Sequence, residues 1–304
     1  MGLYQKHRPR RLRQVVGNED TIQSISKILA GTEIPHAFLF TGQSGCGKTT
    51  ISRIIAKQLG ATGSDYKEID SADFRGIDMV RDLRRKAAYK PIEGTARVWL
   101  VDEVHKMTND AQNAFLKLLE DPPNHAYFLL ATTDPQKLLP TIKSRCLTYE
   151  MKPLNFKQSI SLLQKTLKKE QRDIETDILD IIAETAEGKP RKMLQLLEQV
   201  LSTDDVSQQK TLAKAGMECD TQVIELARVL LKSNNWKEVA KLLKELKNED
   251  PEGIRRMVLG YCASIALNGK LDGRIGLIFE EFIEPTYDNG FNQIIYACMA
   301  VINQ

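Results

Sequence analysis

Between residues 36 and 150 short apolar runs alternate with stretches whose apolar residues recur at helical spacing. "AFLF" at 37–40 leads through a glycine-rich loop into a helix over "TTISRIIAKQL". "KEID" at 67–70 reads as a second strand, followed by a helix in "GIDMVRDLRRKAAY". In "RVWLVDEVH" the core 98–101 has the continuous apolar pattern of a strand buried on both faces. Thr108 or Asn109 can cap the next helix, whose Ala111, Ala114, Phe115, Leu118 and Leu119 follow the i, i+3, i+4, i+7, i+8 rule. Pro122-Pro123 ends that helix, and "AYFLLATT" and "CLTYEM" supply two more strands. Strands alternating with helices predict an α/β module with a five-stranded parallel sheet covered on both faces.

After Pro153 the strand signal stops, and three helices fit 156–169, 174–187 and 190–201. The polar stretch "STDDVSQQKT" reads as a linker. Helices resume from about residue 220, with starts expected at Asp220-Thr221, Asn234-Asn235 and Asp250-Pro251. The expected layout is an α/β module over 1–152, a small helical module over 153–205 and an all-helical module over 215–304.

Composition narrows this picture only a little. With 42% hydrophobic and 27% charged residues among 304, the chain has material for two domains or three small ones. A net charge of +3 excludes a general polyanion binder, so any nucleic-acid surface must be local. Residues 1–13 carry Lys6, Arg8, Arg10, Arg11 and Arg13 with no acid, whereas 271–292 carry five acids against Arg274. The five widely spaced cysteines form no CxxC pair, which points to reduced thiols. Neither a secretory apolar region nor an 18-residue apolar run is present, so a cytoplasmic protein without membrane partners is expected.

The chemistry concentrates in the first module. Gly42 to Thr49 match G-x-x-x-x-G-K-[ST]. Successive backbone N–H groups of such a loop, at a helix N-terminus, form a concavity suited to phosphate. Gly42, Gly45 and Gly47 allow close approach; Cys46 and Thr50 belong to the same segment. Lys48 is expected to reach the β and γ phosphates of a nucleotide, and the Thr49 hydroxyl to ligate Mg²⁺. Cys46 admits two readings, a low-pKa thiol or an unspecified loop position, and the second is favoured. Asp102-Glu103 ends a strand: the first carboxylate can hold Mg²⁺ and the second can deprotonate an attacking water.

The order of these motifs resembles the ATPase subunits of sliding-clamp loaders, within the AAA+ class. Those are the gamma/tau subunit of bacterial DNA polymerase III and the small subunits of replication factor C. The resemblance covers most of residues 3–200 and rests on "YQKHRP", "VVGNE", "GQSGCGKTT", "RGIDMVRD", "VWLVDEVHKM", "NAFLKLLEDPP", "FLLATTDPQKL", "SRC" and "EGKPRKML". It implies that Val16 and Gly17 form the adenine-pocket segment, with Tyr4, Arg8 and Pro9 nearby. Thr133 resembles the polar residue that contacts the γ-phosphate or the attacking water. Arg145 of "SRC" resembles an arginine finger delivered in trans to the neighbouring subunit's ATP, and Arg191 resembles the arginine that reports the γ-phosphate to a helical lid. The three segments then read as an AAA+ nucleotide-binding domain, a lid and a collar that joins subunits into an open five-membered ring.

The resemblance further implies that the helix after 76, with Arg75, Arg81 and Arg85, follows the backbone of primer-template DNA without reading sequence. Asp78 and Asp82 leave open a self-paired, solvated face. Two departures stand out. The cysteine-rich zinc module of the bacterial polymerase III pattern is not matched, since residues 51–101 contain no cysteine, and zinc is not expected. The long tau extension is also missing, which suggests a minimal subunit, closer in size to replication factor C small subunits or virus-encoded loaders working in a host cytoplasm. The implied function is ATP-dependent loading of a sliding clamp onto DNA during replication. The alternatives are another AAA+ machine, such as a helicase loader or branch-migration motor, and a non-hydrolysing structural subunit of a ring.

Overall fold

The computed structural model describes residues 2–71, 76–233, 235–247, 249–268, 273–286 and 290–303, with the side chains of 215–221 left aside. The chain folds into two compact units, Met1–Ala213 and Lys214–Gln304.

In the first unit five parallel strands, β1 (Ala37–Thr41), β2 (Tyr66–Asp70), β3 (Arg97–Asp102), β4 (Ala126–Thr132) and β5 (Leu147–Glu150), lie in the order β2-β3-β4-β1-β5. Thr41 is level with Thr132, and Asp70 with Asp102. The helices are α1 (Leu3–Lys6), α2 (Glu19–Leu29), α3 (Lys48–Gln58), α4 (Ile77–Ala87), α5 (Asn109–Glu120) and α6 (Pro140–Lys143). They are followed by α7 (Phe156–Glu170), α8 (Thr176–Thr185) and α9 (Pro190–Val200).

Strand alternation explains the unbroken apolar runs. Leu39, Trp99, Val101, Phe128 and Leu130 pack on one face with Val80 and Leu83 of α4 and Phe115 of α5. Phe38, Phe40, Val98, Leu100 and Leu129 pack on the other with Ile25 of α2 and Ile51 and Ile55 of α3. Both faces of the central strands are therefore buried. Phe128 stacks on Trp99 at 5.6 Å between ring centroids and meets Phe115 edge-on at 5.5 Å. Thr108 caps α5, its side chain accepting from the Ala111 amide. The third core gathers Leu163, Leu167, Ile182, Met193, Leu197 and, from the distant N-terminal segment, Leu3.

The second unit holds the rest of α10 (Val206–Lys232) with α11 (Trp236–Glu245), α12 (Pro251–Leu267), α13 (Gly273–Phe282) and α14 (Phe291–Asn303). Here the sequence-based expectation needs correction. The stretch expected to be a linker is helical from Val206, and Asp220-Thr221 lie inside α10 rather than at a helix start. Asp205 supplies the reason: its carboxylate accepts from the Ser207 amide at 2.9 Å and its carbonyl from the Gln209 amide, so it caps a helix in polar sequence. The expected starts at Asn235 and Asp250 hold, each side chain accepting from amides of the following turn. Cys46, Cys146, Cys262 and Cys298 are free thiols. Among the described residues no helix is long and apolar enough to cross a membrane.

Inside the second unit a buried carboxylate ties α12 to the segment after α13. Glu252 binds Arg255 at 2.7 Å and Arg256 at 2.9 Å, and accepts from the amide and hydroxyl of Thr286 at 3.2 Å. Arg255 holds its carboxyl far below the usual range, at about 2, against the upward push of burial and with help from the Thr286 amide and Arg256. A depressed carboxylate contributes stability above its unfolded value, 4.5, and that contribution fades as pH falls to about 2. Across that window the wild type should lose up to about 3 kcal/mol more than Glu252→Gln, measured as urea midpoints. Parallel pH profiles for the two proteins would contradict the pairing.

Candidate functional site

The strand order places the carboxyl ends of β3, β4 and β1 side by side, where open parallel sheets hold their ligands. Asp102 ends β3, Thr133 follows β4, and the glycine loop follows β1. Loop residues Gly42, Gly45 and Gly47 all have positive φ, at 133°, 81° and 101°. A Cβ on Gly42 would stand 2.3 Å from the Met151 carbonyl oxygen. Side chains are excluded there because the loop runs against backbone.

Lys48 opens α3 and is buried, its Nζ donating to the carbonyls of Gly42 at 2.8 Å and Gln43 at 3.0 Å. Burial pushes the ammonium below its ordinary value, while Glu103 and Asp102 pull it back up. The next residue, Thr49, donates its hydroxyl to Asp102 Oδ2 at 2.9 Å. The other oxygen of Asp102 accepts from the Glu103 amide at 3.0 Å. Glu103 sits in the left-handed region at φ 47°, uncommon for a non-glycine residue. Its Oε2 accepts from the Thr133 hydroxyl at 2.9 Å. One continuous polar chain thus links α3, β3 and the end of β4.

Lys48, Thr49, Asp102 and Glu103 face a cavity of about 450 Å³ with two further walls. One is the N-terminal segment, with Tyr4, Arg8, Pro9 and Val16; the other is α7 and α9, with Leu162, Lys165, Thr166, Lys169 and Arg191. The Arg191 guanidinium lies 5.9 Å over the Tyr4 ring, and a Cβ on Gly45 would touch Arg191 Cβ at 3.5 Å. Lys6 and His7 both pair with Glu170 at the end of α7, fastening the two walls together.

Of the residues picked out in the sequence, Arg8, Val16, Gly45, Cys46, Gly47, Lys48, Thr49, Thr50, Asp102, Glu103 and Arg191 line this cavity. Gly17, Gly42, Thr133 and Arg145 are not part of the lining. Gly17, at φ 73°, stands against Leu154, and a Cβ would come within 2.5 Å of its Cδ2. Arg145 is held outside by Glu120 and by the Thr141 carbonyl at 2.9 Å. Arg81 pairs with Asp78 at 3.1 Å and Arg85 with Asp82 at 2.7 Å, on an exposed face of α4; Arg75 lies outside the described residues. Cys46 is buried, and burial pushes its thiol up despite Lys48 and Lys189, which favours the inert loop reading.

Sequence reasoning missed the α7 contribution and His105. The helix over 156–169 was legible, but the face it turns to the cavity depends on how α7 packs. His105 is signalled only by its spacing in Glu103-x-His105. The donor set at the loop is Thr49 Oγ1 and Asp102 Oδ2, hard oxygens that could hold Mg²⁺. Among the described residues no group of three or more His, Cys, Asp or Glu is gathered for a metal ion. Buried cation, paired hard oxygens and an oriented free carboxylate together can bind a polyphosphate and activate water beside it.

Residues 61–155 match the family model described as DNA polymerase III, delta subunit. DNA polymerase III subunit tau of Bacillus subtilis is 31% identical over 99% of this chain and 59% of its own length. For the Escherichia coli tau subunit the figures are 37%, 78% and 41%. DNA polymerase III subunit gamma of Buchnera aphidicola is 32% identical over 80% of this chain and 73% of its own length. The chain thus spans about two-fifths to three-fifths of the tau relatives. Among solved structures, the Thermotoga maritima RuvB Holliday junction branch migration motor superposes with a TM-score of 0.60. That likeness covers 74% of this chain and 79% of the other at 19% identity, and it shows the shared fold alone.

The loop geometry makes a direct prediction. Gly42→Ala combines a forbidden φ with a backbone clash that no rotamer relieves, so it should cost about 3 kcal/mol of unfolding free energy. Chemical denaturation checks this, and a wild-type midpoint would contradict the loop packing.

Proposed function

Because the chain belongs to the DNA polymerase III gamma/tau subunit family, we propose that it is an ATPase subunit of a clamp loader, placing a ring-shaped sliding clamp on primer-template DNA during replication. The observation that carries this reading is the polar chain from Thr49 through Asp102 and Glu103 to Thr133, beside a buried lysine in a glycine loop. In this reading the triphosphate of ATP lies on the amides of the loop and the first turn of α3. Lys48 exchanges its two loop carbonyls for phosphate oxygens, which offset its burial. Thr49 and Asp102 hold Mg²⁺, which neutralises phosphate charge when bound. Glu103 takes the proton of the attacking water, and Thr133 fixes the direction of its carboxylate. The adenine lies between Val16 and the α7 wall, and Arg191 couples the γ-phosphate to the lid, 153–205.

Arg145 completes the site of a neighbouring subunit in this reading. Its position outside the cavity of its own chain supports a role in trans. Arg81 and Arg85 are exposed and paired only across one turn of α4, so DNA phosphates can replace Asp78 and Asp82 as partners. The 215–304 segment serves as the collar of a pentameric ring; its exposed Leu267, Ile283, Tyr296 and Met299 support a subunit contact. ATP binding would assemble a spiral that holds the clamp open, DNA would align the spiral, and hydrolysis would release the closed clamp in the cytoplasm.

ATP turnover should rise when clamp and primed DNA are both present. Glu103→Gln should keep nucleotide affinity and lose hydrolysis by about 10²-fold or more. Turnover indifferent to the clamp would count against the clamp-loader reading, and full activity in Glu103→Gln against the site. A second measurement addresses Arg145. Arg145→Ala should retain ATP binding while stimulated hydrolysis falls by about 10³-fold. Mixing it with Lys48→Ala should restore part of the activity, since each chain supplies what the other lacks. No recovery would place the arginine's action within its own chain.

A further inference from the structure

The carboxylate proposed as the base has a second neighbour besides Thr133. His105 follows Glu103 by two residues, on a short 3₁₀ turn over Val104–Lys106. The left-handed backbone at Glu103 turns the chain out of β3, and the Lys106 amide closes the turn on the Glu103 carbonyl at 2.8 Å. The imidazole, with only 11% of its side chain exposed, thereby returns to the end of β4. Its Nδ1 lies 3.2 Å from Glu103 Oε2 and 3.0 Å from the Thr132 hydroxyl. Thr132 is fully buried, and its hydroxyl oxygen accepts from the Asp134 amide at 3.0 Å.

The chemistry of these atoms determines which nitrogen carries the proton. An ionised carboxylate offers lone pairs only, so a bare Nδ1 at 3.2 Å would face it lone pair to lone pair. A proton on Nδ1 converts that repulsion into an electrostatic attraction, while the hydrogen bond of the ring N–H is made to the Thr132 oxygen. Burial pushes the imidazole below its ordinary value even with Glu103 beside it, which favours the neutral ring with one N–H to place. Glu103 Oε2 then accepts from the Thr133 hydroxyl and has the His105 Nδ1–H 3.2 Å away. Held at Oε2, the carboxylate keeps Oε1 for the attacking water.

We infer that His105 is a positioning residue for Glu103: its Nδ1–H, bonded to the Thr132 hydroxyl and 3.2 Å from Oε2, attracts the carboxylate and fixes, together with Thr133, the orientation in which it accepts a proton from water. The inference rests on the ATPase reading and deepens it. It assigns His105 no contact with the nucleotide, so its loss should change turnover rather than nucleotide affinity.

The test compares His105→Leu, which fills the space without an N–H, with His105→Asn, whose Nδ2 occupies the place of Nδ1 on the same Cγ. Turnover should fall about 10- to 100-fold in His105→Leu and return to within a few-fold of wild type in His105→Asn. Affinity for a fluorescent ATP analogue should stay unchanged in both. Wild-type turnover in His105→Leu, alongside an inactive Glu103→Gln, would overturn the positioning role alone. Wild-type protein lacking any Glu103-dependent hydrolysis would overturn the ATPase reading and this inference with it. Independently of activity, ¹⁵N spectra of the four histidines should show the Nδ1–H tautomer at His105. An Nε2–H ring would overturn the inference whatever the kinetics show, and so would Leu and Asn variants that lose turnover equally.

Discussion

The pairing of β4 between β3 and β1 is the constraint on which the site depends. Asp102, Glu103, Thr133 and the glycine loop are far apart in sequence, and only strand order makes their strand ends neighbours. Pairing β3 directly on β1 would have left no place for Thr133 beside Glu103. The apolar runs enforce the order indirectly. Each central strand is buried on both faces, so it must sit inside the sheet, and β2, whose residues are half-exposed or exposed, can occupy an edge.

Around the carboxyl ends of these strands the electrostatics balance locally. A buried ammonium at Lys48 would be costly alone, and two loop carbonyls with the nearby carboxylates of Asp102 and Glu103 offset the cost. The same groups hold one another in direction: Thr49 on Asp102, Asp102 on the Glu103 amide, Thr133 and His105 on the Glu103 carboxylate. Orientation of this kind is what a reaction at phosphorus draws on, because a donor already aimed needs no rearrangement as charge develops.

The walls of the cavity follow a different logic. They are made by α1 and the chain after it on one side and by α7 and α9 on the other, joined by Leu3 in the core of α7, α8 and α9 and by the Lys6–Glu170 and His7–Glu170 pairs. Tyr4 and Arg191, stacked across the cavity, lie where the two walls meet.

Much of this was legible in the chain. Continuous apolar runs and period-3.6 patterns marked five strands and most helices, because burial on both faces of a sheet and on one stripe of a helix leaves those patterns in sequence. The glycine loop and Asp102-Glu103 were legible because their chemistry needs particular residues at fixed local separations. The helix through "STDDVSQQKT" was hidden, since polar residues around an Asp205 cap look the same in a linker and in a helix. His105 and the α7 face were hidden for another reason. Their contacts are made with residues brought close by strand order and helix packing, and no local pattern records which side chains the fold will set face to face. Local spacing determined which groups this protein has for its chemistry; only the tertiary structure decided which of them meet, because that depends on pairings between segments far apart along the chain.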